Sequence, residues 1–121
     1  MGLSIQERRR GQIAVLELDG ELGEQDCPVL SKAIRRVFGE KCFDIILQLE
    51  KVSYIGSHAL GILLFADKEA RESGGAVKLL KVPPMIRMVL QGTRTKFLLE
   101  AFHHEETALA SFGKVVSVKL T

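Results

Sequence analysis

Phe43-Asp44-Ile45-Ile46-Leu47-Gln48-Leu49 does not alternate between apolar and polar residues, apart from Asp44 and Gln48. It therefore reads as a strand covered on both faces, at the centre of a sheet. Soon afterwards Ala59, Ile62, Leu63, Ala66 and Ala70 recur at the spacing of one helix face. A buried strand that hands over so quickly to an amphipathic helix implies an α/β fold with parallel crossovers. The handover is Val52-Ser53-Tyr54-Ile55-Gly56-Ser57-His58-Ala59-Leu60-Gly61, and Ser57 sits where the helix should begin. The first amides of a helix have no internal partner and carry partial positive charge. A hydroxyl at that point can cap the helix, and a phosphate there would be stabilised by the same donors.

The flanking elements follow in order. Leu3 to Arg9 and Ile13 to Leu18 read as two strands, antiparallel across Gly11. Asp19-Gly20-Glu21-Leu22-Gly23 is expected to break the second. Glu24, Gln25 and Asp26 suit a first helical turn that tolerates Pro28. Val29, Leu30, Ala33, Ile34, Val37 and Phe38 then make an apolar stripe ended by Gly39. The helix from about Ser57 to Ser73 stops at Gly74-Gly75. Ala76 to Val82 is a further strand. Pro83-Pro84 opens a short helix with Met85, Ile86, Val89 and Leu90, Phe97 to Phe102 a short strand, and Glu105 to Phe112 a last helix. Val116, Val118 and Leu120 alternate with Ser117 and Lys119, as in an added edge strand or an arm that pairs two copies into a homodimer. The reading is one domain over residues 1–121, with a core of about 3–112, an extension at 113–121, and a mixed sheet of four to five strands with about four helices.

Composition narrows the function. At 121 residues and 46% hydrophobic the chain can bury a core, and a net charge of +2 gives no case for nucleic acid. Arg8-Arg9-Arg10, before Gly11, is expected at a solvated hairpin end. Cys27 and Cys42 bracket one helix, which sets them too far apart for a disulfide and suits a reducing cytoplasm. The first residues lack a signal-peptide run and a myristoylation serine or threonine at position six. No stretch approaches a membrane span. No phosphate-cradling glycine loop with lysine and no cysteine–histidine zinc spacing occurs, so no cofactor or metal is expected. In His103-His104-Glu105-Glu106 adjacent side chains diverge, and a helix start with acidic residues favoured by its dipole is the expected reading. His58 cannot easily reach the neighbouring hydroxyl, because adjacent helical residues point about 100° apart. Catalysis is therefore not expected.

Three local patterns bring in a family. Gly20-Glu21-Leu22, the Val52–Leu64 strand–loop–helix, and Glu105-Glu106-Thr107-Ala108-Leu109 together resemble the STAS domain, the fold of bacterial anti-sigma factor antagonists. In that family the loop usually reads Asp-Ser-Ser-Gly-Leu-Gly. Its first serine is phosphorylated by an anti-sigma factor that is also a protein kinase, and the unphosphorylated form binds that kinase and frees the sigma factor. The resemblance implies that Ser57 is the phosphorylated residue and that a serine phosphatase restores binding. Gly56 stands for the aspartate, His58 for the second serine and Ala59 for the glycine, while Leu60 and Gly61 are kept. The implied partner surface is Gly56, Ser57, His58, Leu60, Gly61 and Leu64, with Glu21 and Asp26 as further candidates from the neighbouring loop. Leu60, Leu64 and Phe65 read either as core or as an apolar docking patch. Asp67, Lys68, Glu69, Arg71 and Glu72 read as the solvated end of the helix. The altered loop also motivates an alternative: an unphosphorylated STAS scaffold in a sensory complex or a lipid-transport ABC system.

Overall fold

The computed structural model describes residues 2–92 and 99–113. Strand β1 (Ser4–Arg10) pairs antiparallel with β2 (Ile13–Leu22). A 3₁₀ turn (Glu24–Asp26) leads into α1 (Cys27–Gly39). Then come β3 (Asp44–Ile55), α2 (Ser57–Glu72), β4 (Ala76–Leu80), α3 (Pro84–Gly92), β5 (Ala101–Phe102) and α4 (Glu105–Ala110). The sheet has five strands in the order β1-β2-β3-β4-β5, with every pair after the first parallel. This is the mixed α/β architecture expected from the alternation of elements.

That strand order decides where the helices lie. Parallel strands laid down one after another in the same direction, with crossovers of one hand, send their helices to one face. Leu30, Ile34 and Val37 of α1, Ala59, Leu63 and Ala70 of α2, and Ile86 and Leu90 of α3 accordingly share one core with Leu16, Leu47 and Leu79 of the sheet. Alternate strand residues Ile13, Val15, Ile46 and Leu80 point the other way and are covered by Ala108 and Leu109 of α4. β3 is central and buried on both faces over Ile45, Ile46 and Leu47, as its unbroken apolar run requires.

Several expectations need correction. β2 does not break at Asp19. Gly20 takes a positive φ of 129°, and register shifts on either side of it let Glu21 and Leu22 stay paired with Tyr54 and Ile55. β3 runs on past Leu49 for the same reason, since its partner strand continues beside it. Asp67 is not solvated: it is 5% exposed, and its carboxylate accepts the Val77 N–H at 2.9 Å and the Arg71 Nε–H at 2.9 Å, tying α2 to β4.

The Arg8-Arg9-Arg10 run is not a free hairpin end either. Arg8 pairs with Glu17 and Glu105, Arg9 with Glu7 and Glu40, and Arg10 with Glu105 and Glu106. Across that contact α4 is held against β1. The C-terminal end of α4 is held differently. Lys78, buried in β4, donates to the carbonyl and hydroxyl of Ser111 at 3.1 and 2.9 Å, pairs with Glu100 at 2.9 Å, and lies 4.5 Å from the centre of the Phe112 ring.

Cys27 and Cys42 are buried free thiols at opposite ends of α1. The strand expected at 97–102 is present at Ala101–Phe102, and residues 93–98 lie outside the described residues. So does the arm with Val116, Val118 and Leu120. Among the described residues no helix is long and apolar enough to cross a membrane, and no group of three or more His, Cys, Asp or Glu side chains is placed to hold a metal ion.

Candidate functional site

The site is built where β2, β3 and α2 meet. Leu22 and Ile55 end their strands side by side, and the Gly56 N–H donates to the Leu22 carbonyl at 2.9 Å. That bond pins the start of α2 to the end of β2. Gly56 has extended backbone (φ −95°, ψ 169°) and is the N-cap, so Ser57 is the first helical residue rather than the cap. The first intrahelical bond runs from the Leu60 N–H to the Gly56 carbonyl at 3.0 Å. The amides of Ser57, His58 and Ala59 precede it and have no acceptor inside the helix. Glycine has no side chain to cap them. The Ser57 side chain is exposed, and no group among the described residues hydrogen-bonds its hydroxyl.

Ser57 opens onto a groove of about 320 Å³ between α1 and α2. One wall comes from Ser31, Ile34, Arg35 and Phe38, the other from Ser57, His58, Gly61, Ile62, Phe65 and Glu69. Gly61 lines the groove near its Ser57 end and faces open space, since a Cβ there would meet nothing within 4 Å. Phe65 stands 59% exposed on the rim. Arg35 and Glu69 approach to 4.0 Å across the groove. An apolar trough with a hydroxyl at its mouth suits the docking of another protein, and a dianion at that mouth would have to be desolvated by any apolar occupant.

The expected site residues are brought together unevenly. Gly56, Ser57, His58 and Gly61 lie at the mouth. Leu64 is half-buried against the main core. Leu60 is 5% exposed and packs inward, so its side chain braces the helix instead of facing a partner. That corrects the expectation for Leu60: the apolar residues that line the groove are Phe65 and Ile62 with Ile34 and Phe38 of α1. Glu21 is exposed beside Tyr54 in the β2–β3 register. Asp26 turns back, with its Oδ2 accepting the Gly23 N–H at 3.1 Å, and so shapes the loop next to the site. Ile34 and Phe38 were legible as core-facing residues of α1. Their role as a groove wall was not, because it depends on α1 and α2 lying side by side.

Tyr54 also stands at this end of the sheet, without a pattern in the sequence to mark it. Its side chain is on the same side as Gly56, two residues on, and is 52% exposed. The ring covers the two glycines of the neighbouring loops. A Cβ at position 56 would come 3.3 Å from the Tyr54 hydroxyl and 3.6 Å from Cε2, and one at position 23 would come 4.0 Å from Cε2.

The features so far describe a small sheet-and-helix module with a helix start and an interhelical groove open at its surface. The family model for the STAS domain matches residues 4–108, and the chain belongs to that family. A curated relative, the anti-sigma F factor antagonist of Paenibacillus polymyxa, is 25% identical over 119 residues, spanning 95% of this chain and 99% of that protein. Among solved structures, an anti-sigma factor antagonist from Mycobacterium paratuberculosis aligns with a TM-score of 0.83 at 19% identity, covering 93% of this chain and 95% of that one. The Bacillus cell fate determinant SpoIIAA in its phosphorylated form aligns with a TM-score of 0.67 at 23% identity, covering 89% and 98%. Identities this low in the two structures speak to the fold.

Proposed function

We propose that this chain is an anti-sigma factor antagonist: a cytoplasmic binding protein, without chemistry of its own, that docks on an anti-sigma factor kinase and is released when Ser57 is phosphorylated. The observation that carries the reading is the Ser57 hydroxyl, exposed and without a hydrogen-bond partner among the described residues, at the mouth of the α1–α2 groove. The name of the Paenibacillus relative supports the antagonist role. The kinase would transfer the γ-phosphoryl group of ATP to Ser57 Oγ, releasing ADP and the hydroxyl proton. The phosphate brings a charge of about −1.5 to −2 to the groove mouth. Free amides of the first α2 turn favour that charge within the domain, while an apolar partner surface does not. A serine phosphatase would hydrolyse the ester and restore docking.

The test is phosphotransfer from labelled ATP with the kinase-type anti-sigma factor of the same organism. One phosphate per chain, lost in Ser57→Ala, is the expected result. Label that persists in Ser57→Ala, or no label in the wild type, rejects the switch.

A further inference from the structure

We propose that Tyr54 is the aromatic anchor of this docking face, the residue through which the end of the sheet grips the anti-sigma factor; the proposal rests on the antagonist reading above. Tyr54 is exposed over half its surface near the end of a strand whose other exposed residues, Glu50, Lys51 and Ser53, are all polar or charged. Glycine at 56 leaves the space into which the phenol extends, and Gly23 leaves the ring edge clear. The phenol therefore lies close beside position 56, where any side chain would crowd it, and over half of the residue is open to solvent. A half-exposed tyrosine is the kind of side chain that partners bury, because it offers a large apolar surface and a polar tip.

Position strengthens the case. Glu21 stands beside Tyr54 across the β2–β3 ladder, and Ser57 begins the helix three residues on. The ring, the carboxylate and the hydroxyl thus share one end of the sheet, next to the groove mouth. The Tyr54 hydroxyl lies 3.3 Å from where a Cβ at position 56 would stand, which brings a polar tip to the start of α2 for a donor or acceptor on the partner. The partner surface that fits is one with a flat apolar patch for the ring and a polar group at its edge.

Tyr54 is the sole tyrosine of a chain without tryptophan, so it can be observed alone. Fluorotyrosine incorporation gives one fluorine resonance. Adding the unlabelled, purified anti-sigma factor kinase should shift or broaden that resonance, a response that a tyrosine serving only to shield the strand end would not give. In binding measurements Tyr54→Ala should weaken affinity about tenfold or more, and Tyr54→Phe should stay within about threefold of wild type. Thermal melting of both variants guards against loss of fold. Wild-type binding that Tyr54→Ala retains within about twofold, or a resonance unmoved at saturation, overturns the anchor and leaves the antagonist reading standing. Failure of the wild type to bind the kinase at all overturns that reading and the anchor with it.

Discussion

The guanidinium of Arg8 donates to both carboxylate oxygens of Glu105, at 2.8 and 2.5 Å, across a separation of 97 residues. Arg10 adds a contact of 2.5 Å to the same carboxylate. The hydrogen bond from Arg8 is the main cause that holds the Glu105 carboxyl at about 2, against an ordinary 4.5. A depressed folded-state value means stability that is present above the unfolded value and lost as the pH falls through the folded one. The urea midpoint of the wild type should therefore decline as the pH is lowered from about 5 to about 2. Glu105→Gln should be less stable than wild type at neutral pH and should converge on it near the bottom of that range. A gap between the two that stays constant with pH would show that the clamp does not titrate.

The Asp67 carboxylate is a second tie, within the main core. Asp67→Ala leaves the Val77 N–H without its acceptor in a buried setting and should lower unfolding free energy by about 1–3 kcal/mol. Asp67→Asn keeps an oxygen for Val77 but loses the charged contact to Arg71, and should lie between alanine and wild type. Equilibrium denaturation with unchanged denaturant slopes checks both.

Two glycines should respond in opposite directions. A Cβ at Gly75 would come 2.0 Å from the Phe43 carbonyl oxygen, inside backbone that cannot yield. Gly75→Ala should cost more than about 3 kcal/mol and leave little soluble protein. At Gly61 a Cβ meets open space within the groove. Gly61→Ala should raise helix stability by about 1 kcal/mol. Differential scanning calorimetry distinguishes the two cases.

Ser57→Ala should change the unfolding free energy by no more than about 0.5 kcal/mol, as expected of a surface substitution, since the hydroxyl caps nothing. Circular dichroism melting decides this. A clear loss of stability would mean that the hydroxyl has a structural task, and the switch would then be harder to separate from the fold.

Local chemistry was enough to recognise the central strand, the two long helices and the helix start at Ser57. Phe43–Leu49 could be buried on both faces only at the centre of a sheet, and the apolar spacing from Ala59 to Ala70 admits a helix and not a strand. Those features depend on residues close together in the chain, so their period is visible in it. The extent of β2 was not visible, because Asp19-Gly20 looks like a terminator until β3 is present to keep pairing with Glu21 and Leu22. Arg8-Arg9-Arg10 looked solvated because most of its carboxylates come from elsewhere: Glu17 on β2, Glu40 just past α1, and Glu105 and Glu106 on α4. Asp67 looked exposed because the amide it accepts belongs to a strand laid beside it later. The groove and the Tyr54 platform are of the same kind: each is made by elements that only the tertiary fold sets side by side, through contacts whose sequence separation leaves no periodic trace.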